Sequence, residues 1–221
     1  MFMEHIAYVY DFISVCASVL LLLAYHLYLN RKVQKDPAYT VQAINVIART
    51  AWVQTVMREK KDLLAVQTLR NSTMAATFLA STSVLMIIGI LTLSGGGKLD
   101  ATWHSLNIVG AQPVELWLVK LICLLSDMFV AFFSFSMSIR VFNHVGYMIN
   151  VPQELNHHMI TPDHVAIHLN RAGKFYSIGM RAYYFMVPLV FWLFGPHFLL
   201  ISTIGLLFVL YQIDRAPKNV F

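Results

Sequence analysis

Four long runs of apolar residues divide the chain, and each is long enough to cross a lipid bilayer as a helix. They cover approximately residues 8–28, 72–93, 116–139 and 184–211. Such a crossing takes roughly 20 apolar residues. The pattern therefore predicts an all-α integral membrane protein with four transmembrane helices, built as a single domain over residues 1–221.

An amphipathic helix is expected in the loop that follows the first run, over residues 41–57. Four apolar residues recur there about one turn apart, and three polar residues lie opposite them. These are Ile44, Ile47, Ala51 and Trp52 on one face, and Gln42, Asn45 and Arg49 on the other. The periodicity is typical of a helix that lies on the cytoplasmic surface of a membrane.

A second loop helix is predicted after the third run, over residues 161–173. Thr161 is a suitable N-cap, Pro162 suits the first turn, and Gly173 can end the helix. Both loops are thus expected to carry one helix outside the membrane.

The fourth run is interrupted midway by Gly195 and Pro196. Two arrangements fit this break: one tilted and kinked helix, or two half-helices that form a re-entrant hairpin. The hairpin would return Arg215 and Lys218 to the side of the two long basic loops.

Positive charges fall mainly in the two long loops. The chain is 58% hydrophobic and 12% charged, with a mean hydropathy of +0.63, whereas soluble proteins average about 25% charged residues. The loop between the second and third runs has only Lys98. Because Lys and Arg mark the cytoplasmic side, four spans predict that both long loops are cytoplasmic and that both termini lie outside. The net charge of +5 then reflects topology, and we expect no binding to nucleic acid.

The first run does not have the pattern of a cleavable signal peptide. No Lys or Arg precedes it, and Glu4 occupies the region where a basic residue is needed.

Both cysteines, Cys16 and Cys123, fall within apolar runs and are expected to be small core residues. The sequence leaves a disulfide between them open.

Several segments resemble a known family of membrane proteins. They are WVQTVMREKKDLLAVQTLRNSTMAATFLASTS, SMSIRVFNHVGYMIN, TPDHV, GMRAYYFMVPLVFWLFGP and LYQID, and they extend from about residue 52 to residue 214. Their order is similar to that of the family known as domain of unknown function 599, found in bacteria and plants. The resemblance implies a small multi-span membrane protein and brings no activity with it. The matching positions are Trp52, Gln67, Arg70, Asn71, Met74, Lys120, Arg140, Asn143, Arg181, Tyr184, Pro188, Trp192, Gly195 and Pro196. Asp127 and His197 are not part of this pattern.

A carboxyl group lies near the centre of the third run. A charged side chain at that depth costs about 2.5–3.5 kcal/mol, so we expect Asp127 to face the protein interior and to be protonated or hydrogen-bonded. Counting along the runs places His197, Ser81 and Ser83 at a similar depth. A contact between Asp127 and His197 or one of these serines would be either a polar clasp between helices or a proton or cation station. Both interpretations stay open.

Planar hydrogen-bond donors lie at the predicted cytoplasmic ends of the spans. They are Arg70, Asn71, Arg140, Asn143 and Arg181. Guanidinium and amide groups that face one another can bind a phosphate or a carboxylate. Ordinary anchoring to phospholipid headgroups is the alternative.

Near the opposite membrane face, Asp11 and Lys120 lie at similar depths. They can form an ion pair there, or Lys120 can reach the surface instead.

Histidines provide the best metal ligands in the chain. His164 and His168 are one turn apart, a spacing that can chelate, but a strong site needs a third and fourth ligand. Only Glu154 and Asp163 are near in sequence, and His157 and His158 complete the group. We therefore expect no metal, no haem and no other cofactor. The spacing of Ser, Cys, His and Asp residues supports no catalytic arrangement, so we do not expect an enzyme.

Two functions fit this sequence. The first is an accessory or structural subunit of a larger membrane complex, in the cytoplasmic or intracytoplasmic membrane of a bacterium. Its partners would be other integral membrane subunits, a second copy of the chain, and membrane phospholipids. The alternative is a small channel or proton-coupled transporter with Asp127 and His197 as its midplane station. A water-filled path to Asp127 would favour the transporter, and a dry, packed midplane would favour the subunit.

Overall fold

A computed structural model of the chain describes residues 2–36, 38–95, 114–152 and 160–216, and these residues are almost entirely helical. The helices are α1 (Phe2–Lys35), α2 (Val41–Glu59), α3 (Asp62–Gly95), α4 (Val114–Met148), α5 (Pro162–Phe194) and α6 (Pro196–Asp214). The all-α prediction is confirmed for this part of the chain. The positions of Lys98, Glu154, His157, His158 and Lys218 lie outside the described residues.

Five of these helices, all except α2, are long and apolar enough to cross a membrane. The sequence predicted four spans, and the difference arises at the C-terminal end. Thr161 caps α5 as expected, because its hydroxyl accepts a hydrogen bond from the His164 N–H at 3.2 Å. Gly173 does not end that helix, however, since α5 continues from Pro162 to Phe194 as one element. The predicted second loop helix is therefore the first part of α5, a longer helix that is apolar enough to cross a membrane.

The chain reverses direction between α5 and α6. Gly195 has φ 145° and ψ 164°, a region that is essentially restricted to glycine, and a residue before proline is disfavoured in helices. Two collinear helices would separate Arg181 from Asp214 by about 50 Å at 1.5 Å per residue, yet their side chains lie 3.4 Å apart. The break is thus a hairpin, and α6, about 28 Å long, is long enough to be a full span.

The start of α1 and the end of α6 lie at opposite ends of the bundle. Near the start of α1, Asp11 accepts a hydrogen bond from Trp192, close to the hairpin. At the far end, the N–H of Ala216 donates to the carbonyl of Tyr39 at 3.0 Å. We call these two ends the Gly195 end and the α2 end. The expectation that both termini lie on one side of the membrane is not supported, because α6 carries the chain back toward α2.

Small residues allow α4 and α5 to approach closely. The pair is antiparallel, since Phe135 contacts Tyr183 with ring centroids 5.4 Å apart, while Ser138 donates to the carbonyl of Ala172 at 3.0 Å. A Cβ added to Gly179 would come within 2.7 Å of the Phe135 ring. Glycine at this position therefore permits the backbone contact that is typical of helix pairs in membranes.

The long helices α3, α4 and α5, like α1 with its 34 residues, extend beyond the thickness of a bilayer. α3, α4 and α5 contain 33 to 35 residues, or about 50 Å, whereas the hydrocarbon core measures about 30 Å. At the α2 end they form an apolar cluster with α2. Its buried members are Val53, Val56, Met57, Ala65, Leu69, Val141, Phe142, Val145, Ile149, Val165, Ala166, Leu169 and Ala172. This cluster fixes α2 against α5 and so positions the site described below.

The hairpin predicts where engineered cysteines react with a membrane-impermeant maleimide, in a protein whose Cys16 and Cys123 are replaced by serine. Ala38→Cys and Lys218→Cys should be labelled from one side of the membrane, and Lys98→Cys from the other. A single kinked fourth span would place Lys218→Cys with Lys98→Cys instead, and that labelling pattern would refute the five-span arrangement.

Candidate ligand-binding cavity

The polar face of α2 lies against α5 and forms a seam of hydrogen bonds. The seam joins Gln54 to Asp163 at 2.9 Å, Arg49 to Asn170 at 2.9 Å, Asn170 to Thr50 at 3.1 Å and Ser177 to Gln42 at 2.6 Å. The order of these pairs shows that α2 runs antiparallel to α5. Ile44 and Ile47 point outward instead, with 39% and 60% of their surface exposed. The predicted amphipathic surface helix is not confirmed, because Gln42 and Arg49 from its expected polar face contact α5.

A cavity of about 970 Å³ lies beside this seam. α2, α3, α5 and the end of α6 contribute most of its walls, with one side chain from α4. Its polar lining consists of Gln42, Asn45, Arg49, Thr68, Asn71, Ser72, Ser177, Arg181 and Asp214. Its apolar lining consists of Val41, Ala48, Trp52, Leu69, Ala75, Phe142, Leu169, Gly173, Tyr176, Met180, Tyr184 and Ile213. The cavity therefore presents charged groups and a large apolar surface to the same space.

Arg49 is the less neutralised of the two cavity arginines. Its Nε donates to Asn170, but its Nη2 is buried without a hydrogen-bond acceptor among the described residues. The guanidinium packs on Gly173, where an added Cβ would lie only 2.3 Å from Nη1. Burial lowers the pKa of Arg49, although an arginine keeps its charge in proteins. The structure thus holds a positive charge beside the cavity without a carboxylate partner in the described part of the chain.

Arg181, in contrast, belongs to a satisfied network. Its Nη2 lies 3.4 Å from the Asp214 carboxylate, which also accepts a hydrogen bond from the Tyr25 hydroxyl at 2.9 Å. Its Nη1 lies 3.0 Å from Nε2 of His26. Because arginine only donates, His26 Nε2 must accept; Nδ1 then donates to the Leu22 carbonyl at 2.8 Å. The network joins α1, α5 and α6.

The cavity includes only part of the predicted anion site. Asn71 and Arg181 line it. Arg70, Arg140 and Asn143 are exposed and do not belong to its lining. The ring of three arginines expected from sequence is therefore not assembled around this space.

The structure does not join Asp127 to its expected partners. Ser83 is fully buried, but its hydroxyl lies 2.9 Å from the Tyr183 hydroxyl and also donates to the Leu79 carbonyl. His197 and Ser81 are exposed. No described hydrogen bond reaches Oδ2 of Asp127, which is buried. A carboxyl group in this position has lost water and has gained no partner from those three residues.

The structure brings Asp11 and Lys120 together near the Gly195 end. The Lys120 ammonium lies 3.2 Å from the Asp11 carboxylate, and its side chain has no exposed surface. Trp192 Nε1 donates to the same carboxylate at 2.6 Å, and its ring lies 5.4 Å from the ammonium. Lys120 and Asp11 form an ion pair, but the geometry at Lys120 Nζ does not meet the criteria for a hydrogen bond. These side chains connect α1, α4 and α5 inside the bundle.

The two candidate metal ligands form a contact pair. Nε2 of His164 and Nε2 of His168 lie 3.1 Å apart. Among the described residues no group of three or more metal-ligating side chains occurs. Cys16 and Cys123 are free thiols in this structure, so the disulfide left open above is not formed.

Sequence reasoning missed the residues that define the cavity. Arg49 and Trp52 were assigned to opposite faces of a surface helix, and Gly173 was taken as a helix end. One signal was available: a polar face with Gln42, Asn45 and Arg49 contains no carboxylate, which is unusual for a face that is simply solvated.

The helices and the cavity together indicate a multi-pass membrane protein with a pocket lined by polar and apolar side chains. Residues 13–219 match the family described as "Protein of unknown function, DUF599". The match extends over nearly the whole chain, and the chain belongs to this family, as its motifs indicated. No curated protein and no solved structure matches the chain.

The buried ion pair predicts a specific stability pattern. Lys120→Met leaves the Asp11 carboxylate buried without its counter-charge and should destabilise the protein by roughly 3–5 kcal/mol. The double variant Asp11→Asn/Lys120→Met removes both charges, keeps an acceptor for Trp192 and should recover most of that loss. Thermal unfolding in detergent measures both variants, and a Lys120→Met protein as stable as the wild type would contradict the pairing.

Removal of the unpaired carboxyl group of Asp127, in contrast to removal of the Lys120 ammonium, should not destabilise the protein. Asp127→Leu removes a half-buried carboxyl group for which the described residues provide no hydrogen-bond partner, so it should leave the unfolding temperature unchanged or raise it. Ser83→Ala is the matched control, because it removes the buried contact with Tyr183 and should lower that temperature. A marked loss of stability in Asp127→Leu alone would show that the carboxyl group has a partner.

Proposed function

We propose that this protein binds an amphiphilic small molecule, such as a membrane lipid, in the cavity between α2, α3 and α5. The observation that carries the proposal is the composition of the cavity wall. Ligand pockets measure about 300–1,000 Å³ and combine an apolar lining with a few polar groups. The cavity of about 970 Å³ lies at the upper end of that range and has both kinds of lining.

The shape of the cavity supports a chain-like ligand. Its lining follows α5 from Leu169 to Tyr184, a distance of about 22 Å along the helix axis. Aromatic and aliphatic side chains line that path, among them Trp52, Tyr176 and Met180. A molecule with an acyl or other apolar chain fits these contacts better than a wholly polar metabolite does.

The charge distribution supports an orientation. The basic residues Arg31, Lys32 and Lys35 lie in the last turns of α1, just before α2 in the chain. Arg215, directly after α6, lies at the same α2 end of the bundle. By the excess of positive charge on cytoplasmic loops, we propose that the α2 end is cytoplasmic and the start of α1 is outside. The cavity then lies at the cytoplasmic side of the membrane. A bacterial cytoplasmic or intracytoplasmic membrane stays a proposal.

The two functions considered from sequence relate differently to this cavity. A role as an accessory subunit, with other membrane subunits or a second copy as partners, is compatible with ligand binding and stays a prediction. The transporter alternative depended on a pair between Asp127 and His197. The described residues provide no contact between them, so we do not extend that alternative.

A cavity-filling substitution tests the proposal. Ala48 and Ala51 are both exposed and lie about one turn apart on α2, but only Ala48 lines the cavity. Ala48→Trp should therefore abolish the ligand that accompanies the protein through mild detergent purification, and Ala51→Trp should retain it. Native mass spectrometry of the intact protein measures the bound mass directly.

Two results would contradict the proposal. One is a wild-type protein that carries no bound molecule and is not stabilised by any added lipid. The other is equal retention of the bound mass by Ala48→Trp and Ala51→Trp, since a ligand elsewhere on the surface would be insensitive to the filled cavity.

A further inference from the structure

We propose that the cavity selects an anionic ligand and that Arg49 binds its phosphate or carboxylate group. The inference rests on the proposed function and adds the charge class of the ligand and the residue that recognises it. It differs from the sequence hypothesis, in which Arg70, Arg140 and Arg181 formed the anion site.

The two arginines that line the cavity differ in whether a carboxylate compensates their charge. Arg181 faces the Asp214 carboxylate at 3.4 Å and also contacts His26. Arg49 contacts the neutral amide of Asn170 through Nε, and no ion pair involves it among the described residues. The charge of Arg181 is therefore compensated within the protein, and the charge of Arg49 is not.

Arg49 has N–H donors for which the described residues provide no acceptor. A guanidinium carries five N–H donors in a fixed plane, and Asn170 accepts from only one of them. Nη2 is buried without an acceptor, and leaving a buried donor unsatisfied is costly. Lowering of the Arg49 pKa by burial reflects the same loss of water. An anion that approaches the guanidinium from the cavity would compensate the charge that the described residues leave without a counter-charge.

Gly173 and Asn170 of α5 hold the Arg49 guanidinium in place. Gly173 leaves room for it, because a Cβ there would lie 2.3 Å from Nη1 and 2.6 Å from Cζ. Asn170, one turn earlier on α5, fixes Nε. A glycine and an amide thus orient the plane of the arginine side chain. Planar, oriented donors favour the paired oxygens of a phosphate or carboxylate.

The experiment compares ligands of different charge on purified full-length protein. Thermal stabilisation is measured with phosphatidylglycerol, with phosphatidylcholine of the same acyl chains, and with inorganic phosphate. We expect phosphatidylglycerol to bind about tenfold or more tightly than phosphatidylcholine, and inorganic phosphate to give no comparable protection. Arg49→Gln should remove the preference between the two lipids, and Arg49→Lys should restore only part of it.

Two further variants separate recognition from folding. Arg58→Gln removes a cation from the same helix, where its side chain is 77% exposed, and should keep the preference for the anionic lipid. Gly173→Ala keeps Arg49 but displaces its guanidinium, and should weaken phosphatidylglycerol binding more than phosphatidylcholine binding. This variant stays informative if Arg49→Gln does not fold.

Each outcome decides one of the two proposals. Equal binding of the two lipids, lost in Ala48→Trp, would overturn the role of Arg49 and leave the proposed cavity function intact. Protection by inorganic phosphate that equals the lipid effect and is lost in Arg49→Gln would confirm the anion site but overturn the amphiphile. A lipid preference that survives Arg49→Gln would overturn the inference.

Discussion

The chain reversal at Gly195 and Pro196 is the constraint on which the rest of the structure depends. Gly195 adopts a backbone conformation restricted to glycine, and Pro196 begins a new helix that returns along the bundle. Without the reversal, Asp214 could not reach Arg181, and α1 would lose the helix against which it mainly packs. One wall of the cavity, formed by Ile213 and Asp214, would also be missing.

The second element of the design is the inward orientation of the polar face of α2. Apolar contacts of Val53, Val56 and Met57 hold one end of α2 on the cluster at the bundle end. Hydrogen bonds to α5 then align the remaining turns, so that Arg49 reaches Gly173. Hydrophobic packing thus provides the attachment, and the polar seam provides the register that places a cation next to the cavity.

The all-helical membrane-protein class could be predicted from the sequence, because the length of a hydrophobic run is a local property. The Gly195–Pro196 break was visible, but whether it kinks or reverses a helix depends on the contact between Arg181 and Asp214, which are distant in sequence. The site was harder for the same reason. Arg49 and Gly173 are 124 positions apart, and nothing local indicates that one makes room for the other. Asp127 attracted attention because of its depth, yet depth alone does not provide a hydrogen-bond partner.

The most direct test of this account is an experimental density map of the protein purified in mild detergent, with an antibody fragment to add mass. The account predicts an elongated density between α2 and α5, with its polar end next to the Arg49 guanidinium and its apolar end along Tyr176 and Met180. A well-resolved cavity that contains only water, or one that α2 has closed by packing directly onto α3, would contradict it.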